Sequence, residues 1–155
     1  MANLNMERLI FMKFSDEITV KGSVHVQVFR GKTLIEGFGG NNMIVYGGRV
    51  RLAQLISGES SNFIVKLGVG TGDKVPEEND NSLTDAEFFN CISRRVEGAN
   101  AIFEFEIKEN ECNGKEICEF GLFTADDLMF SRRVRGGYIK KDEDLTISIK
   151  WILHF

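Results

Sequence analysis

The last twelve residues, Asp144–Phe155, constrain the fold more than any other stretch. Leu145, Ile147, Ile149, Trp151, Leu153 and Phe155 fall on one side, Thr146, Ser148, Lys150 and His154 on the other, with Ile152 the single break. A period of two held this long belongs to a half-buried strand, because a helix would spread the same residues around its whole circumference. At about 3.3 Å per residue the run reaches roughly 40 Å, the width of a small domain. Burying six such side chains contributes on the order of 10 kcal/mol before chain entropy is subtracted. Ends of chains fray unless docked, so Trp-Ile-Leu-His-Phe is expected to be tied into a sheet.

The rest of the composition agrees with a sheet protein. With 155 residues, 43% of them hydrophobic, the chain suits one domain with a real core. Thirteen Phe, sixteen Gly and one Pro point to packed strands joined by glycine turns. No run approaches the length of a membrane-spanning helix, and the first residues lack the basic start and apolar stretch of a secretory signal. Folding in the cytoplasm is therefore expected, with no membrane partner. Residues 1–58 carry seven Lys/Arg against four Asp/Glu, and residues 59–155 carry twelve against nineteen. Neither part has the basic excess of a nucleic-acid binder.

Taken in order, residues 1–17 form an apolar N-terminal arm, with Leu4, Met6, Leu9, Ile10, Met12 and Phe14 fitting neither the helical nor the strand period. Such an arm either caps the core or reaches a neighbouring subunit. From Ile18, Val20, Val24, Val26 and Val28 alternate with polar residues, Arg30-Gly31-Lys32 turns, and Thr33 to Phe38 returns as a hairpin. Gly39-Gly40-Asn41-Asn42 reads as a turn. One short helix is expected near residues 47–57, burying Val50, Ala53 and Ile56 with Leu52 and Leu55, while Arg49, Arg51 and Gln54 point away; Ser57-Gly58 stops it. A strand is expected at Phe63 to Val69, and after the acidic stretch Phe89 to Val96, Ala101 to Lys108, Ile117 to Phe123 and Leu128 to Val134 read as a meander, with Gly136-Gly137 leading toward the final strand. Short strands at this spacing predict a mainly β chain: one antiparallel β-sandwich, or barrel-like, domain over residues 18–155.

Candidate chemistry is sparse. Gly68-Val69-Gly70-Thr71-Gly72-Asp73-Lys74 invites a phosphate-loop reading, but Asp73 separates Gly72 from Lys74 and Val75 follows, so it matches no Walker loop. A dinucleotide fingerprint fails as well, because its third glycine position is Asp73. The glycines instead predict a strand exit that needs positive φ and close backbone approach. The acidic stretch 73–85 offers Asp73, Glu77, Asp80 and Asp85 to calcium at a spacing unlike an EF-hand, and a solvated mobile loop is the plainer reading. Cys91, Cys112 and Cys118 form no Cys-x-x-Cys pair, and with only His25 and His154 beside them no zinc site is expected. Cys112 and Cys118 flank Asn113-Gly114 and could face each other across a hairpin as thiols. No residue set has the pattern of an enzyme, so no catalytic residue, cofactor or metal is assigned. Arg94-Arg95 and Arg132-Arg133 are expected to pair with outward Glu104, Glu106, Glu116 and Glu119 or with another copy. Together with Leu9, Ile10, Phe14 and the exposed aromatic Tyr138, they are the interface candidates.

The order of several segments carries a resemblance. Asn42-Met43-Ile44-Val45 precedes Gly47-Gly48-Arg49 and Leu52-Ala53-Gln54-Leu55-Ile56. Leu67-Gly68-Val69-Gly70-Thr71-Gly72 then runs through an acidic spacer to Ser82-Leu83. Glu119-Phe120-Gly121-Leu122-Phe123, Phe130-Ser131-Arg132-Arg133-Val134 and Leu-Thr-Ile-Ser-Ile-Lys-Trp close the series. Over roughly residues 18–155 this resembles the small structural proteins of tailed bacteriophages, of the tail-fibre, tail-collar or neck type. Family members carry an Ala- and Thr-rich segment after the Gly-Thr-Gly turn, where this chain has Lys-Val-Pro-Glu-Glu-Asn-Asp. The resemblance implies a non-enzymatic virion component, assembled in the host cytoplasm, whose partners are itself, as a homo-oligomer, and other virion proteins. The alternative is a carbohydrate- or receptor-binding sandwich module that attaches to a host surface glycan.

Overall fold

The computed structural model describes residues 17–155. Among them are β1 (Lys21–Arg30), β2 (Thr33–Ile44), helix α1 (Tyr46–Ser57), β3 (Ile64–Gly70), β4 (Glu87–Asn90), β5 (Ser93–Glu97), β6 (Asn100–Ile107), β7 (Glu116–Thr124), β8 (Met129–Lys140) and β9 (Leu145–His154). All pairings are antiparallel, in the order β4-β3-β7-β8-β2-β1-β9-β6-β5. The sheet is curled into a half-barrel, the barrel-like form of the expected all-antiparallel domain. Its first and last strands are neighbours in sequence. Between them Cys91 donates its N–H to Val65 O at 2.9 Å, and Ile92 donates to Glu104 O at 2.9 Å, so two residues bind both ends of the sheet.

The C-terminal strand is an interior one. β9 lies between β1 and β6, with Trp151 opposite both Val24 and Phe103. Leu145, Ile147, Ile149, Trp151 and Leu153 are buried as the alternation requires. Phe155 departs from it. It lies beyond β9, half exposed, and its N–H donates to Ala99 O at 3.0 Å, because the neighbouring strands end there. His154 on the other face is fixed, with Nδ1 2.9 Å from Asn100 Oδ1 and Nε2 3.0 Å from Ser23 Oγ. Phe103, Phe105 and Ile107 face the same core from β6, and Leu67, Val69, Phe120, Leu122 and Phe130 from the other half of the sheet.

Several elements differ from the sequence reading. Gly39-Gly40-Asn41-Asn42 is not a turn but the middle of β2, which pairs with β1 up to Asn42 and with β8 only through Met43 and Ile44. Glycine is needed there because a Cβ on Gly39 would lie 2.9 Å from Val24 O. Residues 89–96 form two strands, broken where the chain crosses the seam. Gly136-Gly137 lies within β8. β6 and β7 are not a hairpin either: the loop between them carries the chain from β9's side of the sheet to β3's, so the meander reading fails at that point.

The helix is where expected, but another face is buried. Gly48 and Arg51 are buried, whereas Val50, Ala53 and Ile56 are exposed. Val45 donates to Phe130 O at 3.1 Å, pinning the helix start on β8, and a Cβ on Gly48 would stand 2.1 Å from that same oxygen. Close contact at Gly48 fixes which face lies down. Arg51, expected outward, is drawn in by Asp126.

Candidate functional site

Glycines 70 and 72 open a space that one side chain fills, while Gly68 makes room for the side chains of Phe123, Leu83 and Phe88. Hypothetical Cβ atoms on Gly70 and Gly72 would lie 2.5 and 2.7 Å from Glu119 Oε1. None of the three has positive φ, so close approach alone explains them. Glu119, expected to point outward from β7, is buried. Its Oε1 accepts the Gly72 N–H at 3.0 Å and the Thr84 N–H at 2.6 Å. Its Oε2 accepts Nε and Nη2 of Arg132 at 2.9 and 2.8 Å, and Arg132 Nη1 reaches Asp80 Oδ2 at 2.8 Å. Burial alone would raise the Asp80 carboxyl, but the Glu77 N–H and the Arg132 guanidinium hold it below the ordinary carboxylate range. The acidic loop expected to be solvated and mobile is therefore clamped at Gly72, Asp80 and Thr84. Its carboxylates do not converge: among the described residues no three His, Cys, Asp or Glu side chains gather as metal ligands.

A second ion pair holds the helix. Arg51 Nη1 and Nη2 donate to Asp126 Oδ1 and Oδ2 at 2.6 and 2.8 Å, and Thr124 Oγ1 lies 2.7 Å from Oδ1. The Arg51 guanidinium first and the Thr124 hydroxyl second keep the Asp126 carboxyl well below its usual range. A buried lysine closes the β6–β7 loop. Lys141 Nζ donates to Glu109 O at 3.2 Å, Asn113 Oδ1 at 3.0 Å and Asp142 O at 2.9 Å, while burial pushes its ammonium down. Cys112 lies in that loop with φ +57°, its Sγ against Glu87 Oε2. It does not face Cys118, which is on β7, and both are free thiols.

The interface candidates separate into two groups. Arg132 is buried and pairs within the chain with Glu119, one of the acids expected for it, and with Asp80, rather than being offered to a neighbour. Arg133 spans the gap where β2 and β8 diverge, donating to Asn41 O at 2.5 Å and Gly39 O at 3.3 Å. Arg135 lies beside it, paired with Glu36 and 4.3 Å above the Phe38 ring. Arg95 pairs with Glu97 at 2.7 Å and with Glu104 at 2.8 Å, the latter as expected. Arg94 instead lies over the Phe63 ring at 4.7 Å. Phe63, Arg94, Val96 and Ala101 line one shallow depression at the seam of the sheet, where Val96 is 75% exposed. Tyr138 is exposed on β8. Leu9, Ile10 and Phe14 lie outside the described residues.

Ile92 and Val96 flank Arg94-Arg95 in sequence, but Phe63 comes far earlier in the chain, so the sequence held no local signal for the seam, and residues 89–96 read as one unbroken strand. Among the described residues no helix is long and apolar enough to cross a membrane. Comparison with protein-family models, curated proteins and solved structures gave no match.

Proposed function

We propose that the chain is a non-enzymatic structural component of a tailed-bacteriophage particle, of collar, neck or tail type. It works by self-association and by docking to other virion proteins. The ordered motif series supports the phage reading. Its glycine, Glu-Phe-Gly and Ser-Arg-Arg segments, distant in sequence, meet around Glu119 and Arg132, where they do a structural job. The seam depression carries the association reading: an aromatic ring under an arginine, beside an exposed Val96, has the composition of a buried interface centre. The glycan-binding alternative rests on exposed Tyr138.

The test is solution mass over a wide concentration range for the natural chain and for a Phe63→Ser, Val96→Asp variant, alongside protein composition of purified particles. An oligomer that the variant dissociates, with the chain present in particles, is expected. A monomer at every concentration, absent from particles, would overturn the reading, and glycan binding lost on Tyr138→Ala would replace it.

A further inference from the structure

β5 is an end strand of the sheet, and its outer edge has no ladder partner among the described residues. It returns to β6 through the two-residue turn Gly98-Ala99, with Gly98 at φ +59° and Glu97 opposite Asn100. A turn of that length closes on the Glu97 carbonyl, so Glu97 and Arg95 direct their backbone groups toward β6, and alternation sends those of Arg94 and Val96 outward. An open edge of this kind is a template for another strand. Its side chains indicate which strand. Val96 is the most exposed apolar residue of β5. Arg95 donates from Nε to Glu97 Oε1 at 2.7 Å and from Nη1 to Glu104 Oε2 at 2.8 Å, which leaves Arg95 Nη2 and Glu97 Oε2 without a hydrogen-bond partner among the described residues.

We propose that β5 pairs with β5 of a second copy, antiparallel about a two-fold axis at Val96, so that the sheet of one copy continues into the next. An axis normal to the sheet keeps every side chain on its own face, and the residue at the axis meets itself. At Arg94 or Arg95 it would set an arginine against its own copy, and at Glu97 a carboxylate against a carboxylate. At Ser93 it would need Cys91 and Ile92, whose N–H groups are already bonded to Val65 and Glu104. At Val96 the valines meet and exchange their outward backbone hydrogen bonds, Arg95 of each copy stands opposite Glu97 of the other, and Arg94 faces Gly98, which has no side chain. Arg95-Val96-Glu97 is thus complementary to itself read backwards, as an isologous contact requires. The inference rests on the self-association reading and gives it a partner and a register.

Charge reversal in the full chain tests the register. Arg95→Glu and Glu97→Arg each set two like-charge pairs across the axis, and each alone is expected to weaken association at least about tenfold in sedimentation. Mixed one to one, they regain an opposite pair on both sides and are expected to associate with each other as the natural chain does with itself. Thermal melts show which variants are folded. Hydrogen exchange of the natural chain needs no variant: the Val96 amide is expected to slow at least about tenfold as concentration rises through the association range. If the natural chain associates but the folded variants associate unchanged, or their mixture stays apart, or Val96 exchange does not slow, edge pairing is overturned and self-association stands. A natural chain that is monomeric at every concentration overturns both.

Discussion

Arg132 places both Nε and Nη2 on a single oxygen of Glu119, at 2.9 and 2.8 Å, with both side chains buried. The remaining Glu119 oxygen takes two backbone N–H groups from the loop after β3, and the remaining Arg132 nitrogen takes Asp80 from the same loop. A buried ion pair alone is weak support for a fold, because desolvation offsets most of its attraction. Here its outer valences are spent on residues 72–84, so the pair works as a clamp that orders a long acidic loop against the sheet.

Breaking the clamp from one side leaves a buried charge without its counter-ion. Arg132→Met and Glu119→Leu are each expected to cost about 3–5 kcal/mol in urea unfolding. The double variant is expected to lose well under the sum, since neither charge is then stranded. Additive losses would show that the two residues do not act as a unit.

Glycine 70 is the second support of that centre. A Cβ there meets Glu119 Oε1 at 2.5 Å and the Thr84 backbone oxygen at 2.6 Å, neither of which can withdraw without opening the loop. Gly70→Ala is expected to cost about 1–3 kcal/mol. Gly136→Ala, with nothing within 4 Å and no positive φ, is expected to change stability by less than about 0.5 kcal/mol. Equal effects in thermal melts would refute the close-approach account.

Acid should loosen the helix and the loop. Asp80 and Asp126 both have folded-state carboxyls below their ordinary range. A depressed folded pKa contributes stability that is complete above the unfolded value, near ~4, and is lost as pH falls through the folded value. The urea midpoint is expected to hold at neutral pH and fall progressively below about pH 4. Asp80→Asn with Asp126→Asn should lower the neutral plateau and flatten this slope. Hydrogen exchange should show helix α1 opening earliest in Asp126→Asn, since Asp126 is bidentate to Arg51. An acid slope unchanged in the double variant would place the titrating groups elsewhere.

What the sequence disclosed and what it concealed divide along one line. Period-two patterns are local, so β9, β1 and β6 and their buried faces were legible from Leu145–Leu153, Val24–Val28 and Phe103–Ile107. The helix position was legible as well, but its buried face was decided by the fit of Gly48 against Phe130 and by Asp126, some 75 residues from Arg51. Glu119 and Arg132 were read as surface charges from their residue type, whereas β7 and the start of β8 are buried on both faces. The spacing of the glycine triplet argued against a phosphate loop, yet what it accommodates could be known only once β7 lay beside β3. The seam was hidden for the same reason: that the short link at Cys91-Ile92 bonds to Val65 on one side and Glu104 on the other leaves no local trace.

The cysteines give the remaining prediction. Burial pushes the Cys91 thiol up to about 11, and burial first, then the Glu87 carboxylate, pushes Cys112 up to about 12. The thiolate is the reactive form, so both should be nearly inert to alkylation at pH 8 in the folded protein. Cys118, also raised by burial but half-buried on β7, should react first. Iodoacetamide labelling read by peptide mass is expected to modify Cys118 slowly, and Cys91 and Cys112 only as denaturant unfolds the chain. Glu87→Gln removes the carboxylate beside Sγ and should speed Cys112 labelling while leaving Cys91 unchanged. Rapid native labelling of Cys112, or a Cys112–Cys118 disulfide under mild oxidation, would mean that the loop from β6 does not cross to β7 as described.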